Sequence, residues 1–477
     1  MTVSDLLPLI VLVPLIASVI VTVIPARGRG PVTIGAVLAT TAVGVPIVLE
    51  VARSERVEVG LGGWDMPLGI ALHADGASAM MLALTCTVML AVSVAGTAER
   101  RLIGTEWFWP LLMAGFAALN GVFIAADLFT LYVLLELLTL AAVALVALEG
   151  GKAAAAALRY LIVAVIGSLL YLFAVALLYA DAGSLALTSE PLDDGPVLTA
   201  VLVLMSVGMA AKMALFPLHA WLPVAHPAAP PAVSAVLSAL VVKAALFVLW
   251  RVYTLIAPAS EISPILANAL AALGAIGVVW GGFMALRRRS LKTIIAYSTV
   301  AQMGYLVLML PLLESAGGSE AWSGGVLLAV GHGLAKAALF LAAGALVIAY
   351  GTDELDSLEG AISRMPWTVA TIGVAGVSLA GLPPSLGFVG KWQLLQASLA
   401  DGAWWWLIVL LTGGLLTFAY VGMMIRATFN PPGEDTPAPA SGTPHPIATA
   451  VPFALALASI VVGLVPAEAV AILGGGG

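Results

Sequence analysis

Charge is what this chain has least of. Charged residues make up 9% of its 477 positions, against about 25% in a soluble globular domain. Hydrophobic residues reach 62%, and a surface of that kind does not stay dissolved in water. Cysteine is almost absent. The one residue, Cys86, lies in the apolar run MLALTCTVML, so an intramolecular disulfide is excluded, and no Cys/His cluster has the spacing of a zinc or iron–sulfur site. No cofactor motif and no resident metal site is expected. The net charge of −7 is spread through loops and suggests no nucleic-acid partner. The first apolar segment has no basic residues before it and carries Asp5, whereas Arg27 and Arg29 follow it. The expectation is a retained helix with its N-terminus outside, not a cleaved leader.

Long apolar runs are what the chain has in abundance. Bounded by Gly, Pro or charge, they count as fourteen spans of about 20 residues each. The segments are 4–26, 32–52, 74–97, 107–125, 127–149, 155–180, 196–216, 230–256, 264–286, 293–313, 322–350, 367–397, 402–428 and 447–473. Connections are short; the longest, near 53–73, 181–195 and 429–446, hold Gly, Pro and acidic residues. The fold class expected is a single all-α polytopic membrane domain over 1–477. With both termini outside, the inner loops hold Arg27, Arg29, Arg100, Arg101, Lys152, Arg287, Arg288, Arg289, Lys292, Arg364 and Arg426. The outer loops hold mainly Arg53 and Arg56, with Arg251 near a span end, and the acids Asp181, Glu190, Asp193, Asp194, Glu314, Glu320 and Asp401. That asymmetry fixes the orientation in a cell inner membrane.

Against this background a few charges stand inside the spans. Lys212, Lys243, Lys336 and Lys391 are four of the six lysines, and Glu136 joins them. Each charge at the bilayer centre costs about 2.5–3.5 kcal/mol on insertion scales. Buried ionisable groups distributed over several helices are how a protein moves protons across a membrane. A lysine near a helix end also reaches the interface without further role, which is the simpler account of Lys212. Lys243 and Lys336 lie near mid-span, where the simpler account is an ion pair or a carbonyl partner. Glu136 has Thr139 one turn on and Tyr132 one turn back, both on its face. His332 and Lys336, four apart in GHGLAKAALF, share a helix face and suit a proton relay; a packing histidine is the plainer alternative. His219 and His226, in FPLHAWLPVAHPAAPPAV, are candidates for proton entry or for binding carbonyls that the prolines set free.

Proline and glycine interrupt two of the charged spans. SLAGLPPSLGFVGKWQ places Gly381, Pro383, Pro384 and Gly387 before Lys391, and Pro217 and Pro223 follow Lys212. Broken helices in mid-membrane expose backbone that must line a cavity or meet protein, and two of them at corresponding places fit an inverted-repeat plan.

LYVLLELLTL, KMALFPLHAWLPVAHPAAPPAVSAVLSALVVK, AYSTVAQMGY, HGLAKAALF and GLPPSLGFVGKW together resemble the antiporter-like subunits shared by Mrp-type sodium/proton antiporters, respiratory complex I and membrane-bound hydrogenases. The resemblance runs from about span 3 to span 14. It implies inverted repeats over 107–256 (spans 4–8) and 264–428 (spans 9–13), with spans 7 and 12 broken. It implies that Glu136 pairs with Lys212, and that the path continues through Lys243 and Lys336 to Lys391. The wording around Lys391 and Ser234 is most similar to the D-type subunits of Mrp antiporters, although hydrogenase-type and bicarbonate-uptake relatives share much of it. The implied partners are other hydrophobic subunits of a membrane complex, the lipid bilayer, protons and sodium. A secondary transporter subunit, not an enzyme, is the expectation. The alternative is the proton-pumping arm of an oxidoreductase, and a third possibility is a bicarbonate-uptake partner. With only GGGG after span 14, the expectation is that the chain is not one of the longest members of the group.

Overall fold

Apolar stretches this long satisfy their backbone polar groups within helices, and the computed structural model is helical almost throughout. It describes all residues except 1, 55, 63–68, 100, 101, 103, 104, 188–191, 432–444 and 474–477. Arg100, Arg101 and Glu190, counted in the loops above, and the terminal glycines lie outside the described residues. The helices are α1 Leu9–Val23, α2 Ala26–Ser54, α3 Gly76–Ala98, α4 Phe108–Ile124, α5 Leu128–Ala147 and α6 Gly151–Ala182. Then come α7 Pro196–Lys212, α8 Leu222–Ala228, α9 Pro231–Val236, α10 Val242–Leu255, α11 Ser263–Leu286, α12 Leu291–Val307 and α13 Gly318–Tyr350. The last are α14 Ala361–Arg364, α15 Pro366–Ala380, α16 Leu386–Ala400, α17 Trp405–Phe429, α18 Pro446–Leu464 and α19 Pro466–Ile472. Among the described residues eleven helices are long and apolar enough to cross a membrane, and three shorter apolar ones, α4, α7 and α15, stand where spans 4, 7 and 12 are expected.

The centre is built on α13 and on the α9–α10 segment. The Pro231–Ala259 stretch is wholly buried and the α13 span nearly so, whereas α1, α2 and α17 keep most of their length at the surface. Leu415 and Phe418 of α17 are 71% and 62% exposed, an apolar face suited to lipid or to another apolar subunit. Close helix approach depends on glycine. A Cβ on Gly167 of α6 would come within 2.7 Å of the Gly208 carbonyl of α7, and one on Gly208 within 2.6 Å of the Gly167 carbonyl. These helices therefore touch backbone to backbone, which carries Lys212 up to α5 and α6.

The structure differs from the sequence reading in three places. The stretch between spans 2 and 3 contains an antiparallel hairpin, β1 Arg56–Leu61 with β2 Ile70–Asp75, in register Arg56↔Asp75 through Leu61↔Ile70. Val57, Val59 and Leu61 alternate with polar or small residues, a period of two, but the run is short and beside a Gly-rich turn. The break in span 7 extends past residue 216: α8 is its second half, lying in what the sequence suggested was a loop. Span 14 stops at Leu464, where Pro466 starts the separate α19.

A charged clamp ties the hairpin to α10. The Asp75 side chain caps α3 by accepting from the Ser78 N–H at 2.9 Å. It also accepts two bonds from Arg251, at 2.5 and 2.7 Å. Arg251 donates to Ser78 Oγ at 3.1 Å and lies over the Phe247 ring at 4.7 Å. Burial alone would raise the Asp75 carboxyl, but the Arg251 guanidinium and the Ser78 amide outweigh it and hold the group well below the usual carboxylate range. Because the folded value is the depressed one, the clamp contributes fully above the ordinary aspartate value of about 4 and is lost as pH falls through the folded value. Arg251→Met is expected to cost about 2–3 kcal/mol, between an exposed and a fully buried pair. It should also flatten the acid limb of stability. A thermal-unfolding series from pH 7 to pH 3 in detergent checks both; an unchanged acid limb would show that the clamp is idle.

Candidate functional site

Each interior lysine is met by oxygens, from side chains at Lys212 and largely from backbone carbonyls at the others. Lys212 is the last residue of α7. There the chain leaves the helix through Ala214, which has a positive φ of 57°, and the Trp221 indole N–H fills in by donating to the Ala211 carbonyl at 3.1 Å. The Lys212 ammonium donates to Glu136 Oε1 at 3.2 Å and to Thr139 Oγ1 at 2.8 Å. Ser168 of α6 donates its hydroxyl to the same Glu136 oxygen. Thr139 thus serves Lys212 and not Glu136, and its own hydroxyl donates to the Leu135 carbonyl at 2.7 Å. Tyr132 faces Phe129, with ring centroids 6.2 Å apart. Glu136 keeps 24% of its side chain exposed while Lys212 keeps 6%, so the carboxylate is the end of the pair open to its surroundings.

The other lysines have no carboxylate within ion-pair distance among the described residues. Lys243 donates to the Ser238 carbonyl at 2.5 Å. That carbonyl lies five residues back, in a π-helical turn over Leu237–Val241 that joins α9 to α10, a place where helix carbonyls come free. Ser238 Oγ and Thr299 Oγ1 are 2.8 Å apart, which links this turn to α12. Lys336, wholly buried in α13, reaches α12 and donates to the Ile295 carbonyl at 2.5 Å and to Ser298 Oγ. Lys391 donates to the carbonyls of Leu379 and Ala380, at 3.0 and 3.2 Å. These belong to the last turn of α15, whose unsatisfied carbonyls and negative dipole end favour a cation. Its ammonium also lies 4.3 Å from the centre of the Tyr305 ring. Gly381, with φ of 77°, ends α15, and a Cβ there would come 2.6 Å from Lys391 Cδ; the glycine both turns the chain and leaves room for the lysine stem.

The histidines part into three environments. His332 is 2% exposed, and His226 is fully buried against the Phe340 ring at 4.6 Å. Neither ring nitrogen of either residue has a protein partner among the described residues, and His332 makes no direct bond to Lys336. Both lie within electrostatic reach of lysines: His332 of Lys243, Lys336 and Lys391, and His226 of Lys336, Lys292 and Lys243. His219 stands apart, at the span 7 break, where its Nε2 accepts from the Trp280 indole at 3.2 Å.

Lys292 was counted with the inner-loop charges, and the structure buries it. Its ammonium donates to the carbonyls of Pro227 and Ala229, at 2.9 and 2.6 Å, at the end of α8. Its backbone N–H donates to Asp353 at 3.0 Å, and Ser290 Oγ donates to the same oxygen at 2.6 Å. Its place beside RRRS hid it, since a lysine two residues into a helix after three arginines looks like part of a solvated run. Ser168 carried no signal at all, being an uncharged residue 32 positions from Glu136. Together these groups form a set of buried bases on α7, α10, α12, α13 and α16, held by neutral oxygens, with one carboxylate, Glu136, paired to Lys212. They supply proton acceptors in a low-dielectric interior, and nothing among them suggests a nucleophile or a metal cluster among the described residues.

Known proteins resemble this chain in sequence and fold. Residues 125–417 match the family model described as NADH:quinone oxidoreductase/Mrp antiporter, TM. The N-type subunit of the NADH-quinone oxidoreductase of Desulforudis audaxviator is 35% identical over 435 residues, covering 88% of this chain and 86% of that protein. The D-type subunit of the Na+/H+ antiporter of Alkalihalophilus pseudofirmus is 29% identical over 406 residues, covering 82% of this chain and 80% of that protein. A chain in the solved Mrp complex from Dietzia sp. superposes over 100% of this chain and 97% of its own length with a TM-score of 0.91. Its 24% identity makes that a likeness of fold. The stretch matched by the family model holds Glu136, all five buried lysines and all three interior histidines, and the chain belongs to the antiporter-like membrane subunits common to NADH:quinone oxidoreductases and Mrp antiporters.

Proposed function

We propose that this chain is the proton-carrying subunit of a multisubunit cation/proton antiporter, with sodium as the counter-transported ion. The observation that carries the reading is the Glu136–Lys212 pair, together with a set of further lysines that have only neutral oxygens as partners. A proton on one lysine raises the cost of protonating the next. When the carboxylate holds Lys212, the charge stays there; when the pair opens, the proton moves on through Lys243 and Lys336 toward Lys391, with water bridging the gaps. His332, buried on the Lys336 face of α13 with both ring nitrogens unpartnered among the described residues, suits a relay, and His219 and His226 suit the entry. Residues 107–256 and 264–428 form two inverted repeats in this reading, supported by a broken span beside a lysine in each half.

A second reading follows from the 35% identity to an oxidoreductase subunit: the proton-pumping arm of a redox complex. No redox group is called for by the residues described above, so the driving energy comes from a gradient or from a partner. Purification of the tagged chain in mild detergent separates the two readings. Small hydrophobic subunits, with sodium-driven proton uptake in vesicles, support the antiporter; co-purifying iron–sulfur and flavin subunits overturn it. The orientation is tested alongside, in a cell inner membrane with both termini outside. Cysteine at Arg288 is expected to react with an impermeant thiol reagent only from the cytoplasmic side, and cysteine at Glu261 only from outside. Reaction of both from one side would sink the topology.

A further inference from the structure

The mechanism above leaves one line of buried polar groups unused, along α15. Thr368, Thr371, Ala375 and Ser378 recur at spacings of three and four and so share one helix face. All four are buried, with Thr368 and Thr371 at 0% and Ser378 at 2% exposure. A hydroxyl inside a membrane helix ordinarily satisfies itself by donating to the carbonyl one turn back. Thr371 does so, to Trp367 at 2.8 Å. Thr368 Oγ1 and Ser378 Oγ have no protein partner among the described residues. Nor does the hydroxyl of Tyr350 at the end of α13, a helix that packs on α15 and runs back along it from the short connection at 351–365. Polar groups buried without a partner are the ordinary sites of internal water.

The stripe has a defined top and bottom. Ser378 is followed by Leu379 and Ala380, the two carbonyls that hold Lys391. α16 packs directly on this end: a Cβ on Gly387 would run into the Ser378 carbonyl oxygen and come within 3.3 Å of its Oγ, and one on Gly331 would come within 3.0 Å of the Gly387 amide nitrogen. The upper end therefore abuts the α13–α16 contact next to His332, whose ring nitrogens are also without protein partners among the described residues. At the lower end Thr368 sits in the first turn of α15. The connection from α13 carries Asp353, Glu354, Asp356 and Glu359 within seven residues, directly after Tyr350 in the chain.

We propose that the α13–α15 interface holds a file of water that gives protons a second route to Lys391, from the end of the bundle where Tyr350 and residues 351–360 lie. Lys391 is then reached from two directions: along the lysine set, and directly up α15. The proposal rests on Lys391 as a proton station, but the file itself is tested without any transport. In the assembled complex in membrane vesicles, with Cys86→Ser as background, cysteine is placed singly at Thr368, Ser378 and Val369. Val369 is equally buried, at 3%, on a different face of α15. The probe is 2-aminoethyl methanethiosulfonate, which needs a hydrated thiolate, and labelling is read by mass spectrometry. Thr368→Cys and Ser378→Cys are expected to react at least about ten times faster than Val369→Cys. Equal inertness of all three would show a dry interface and overturn the file, whatever the chain transports. Thr368→Val, which keeps the shape and removes the hydroxyl, is then expected to slow proton uptake about five-fold or more, with Thr368→Ser restoring it. Fast labelling with an unimpaired valine variant would leave water there but overturn the route.

Discussion

Glu136→Ala is expected to bring sodium-driven proton uptake in vesicles close to background while the subunit still assembles. The carboxylate is the one counter-ion that Lys212 has among the described residues, at 3.2 Å. Breaking a buried pair costs about 3–5 kcal/mol. Glu136 is partly exposed, so the low end applies, and about 3 kcal/mol still corresponds to more than a hundred-fold in an equilibrium or a rate. Lys212→Ala should do the same from the other side, leaving a carboxylate with only the Ser168 hydroxyl. Glu136→Gln is the informative third variant. The amide keeps an oxygen for Ser168 and for the ammonium but carries no charge. A gate that works by charge fails with glutamine; a site that needs only a hydrogen-bond acceptor survives. Wild-type uptake in Glu136→Gln, measured at equal subunit abundance, would remove the charged pair from the mechanism.

That pair also shows how far the sequence carries. A glutamate and a lysine in separate apolar spans must find one another or be neutralised, because an unpaired charge in hydrocarbon is too costly. That Glu136 needs a lysine or a proton is thus readable without coordinates; that the lysine is Lys212 comes from the family resemblance. Ser168 is not, because a serine in a long apolar helix has many innocent uses and nothing in its neighbourhood marks it. The same asymmetry separates Lys391 from Lys292. Lys391 stands alone in an apolar run after Gly381 and two prolines, and both the break and the charge announce themselves. Lys292 follows three arginines, and only the folding of α8 back beneath α12 turns it inward. The hairpin Arg56–Leu61 with Ile70–Asp75 escaped because six alternating residues beside a Gly-rich turn carry less signal than the 29- and 23-residue helices flanking them. Long periodic segments reveal themselves through hydrophobicity. Contacts between distant helices depend on packing details, such as the Gly167–Gly208 approach, that no local pattern encodes.

Lys391 separates a proton carrier from a fixed charge. Its ammonium is bound by two backbone carbonyls at the end of α15 and faces the Tyr305 ring at 4.3 Å. Such a place attracts any cation, because helix-end carbonyls and an aromatic face favour positive charge whether or not it ever leaves. The structure of the site is therefore compatible with a prop that holds the broken helix together. Function distinguishes the two through the ability to release the proton. Lys391→Ala removes the charge and the proton site together and is expected to abolish uptake under either role, so alanine alone decides nothing. Lys391→Arg keeps the cation for the Leu379 and Ala380 carbonyls but does not give up its proton at any working pH. A carrier must then fail, with uptake falling by a hundred-fold or more toward the alanine value, whereas a prop is largely preserved. The tight fit of the lysine stem against Gly381 adds a steric burden for arginine, and the amount of assembled complex and its thermal midpoint measure that burden directly. Arginine at normal abundance and stability without uptake identifies Lys391 as a station on the path. Arginine at wild-type uptake makes it an electrostatic anchor, and the proton must then leave from Lys336 by another way.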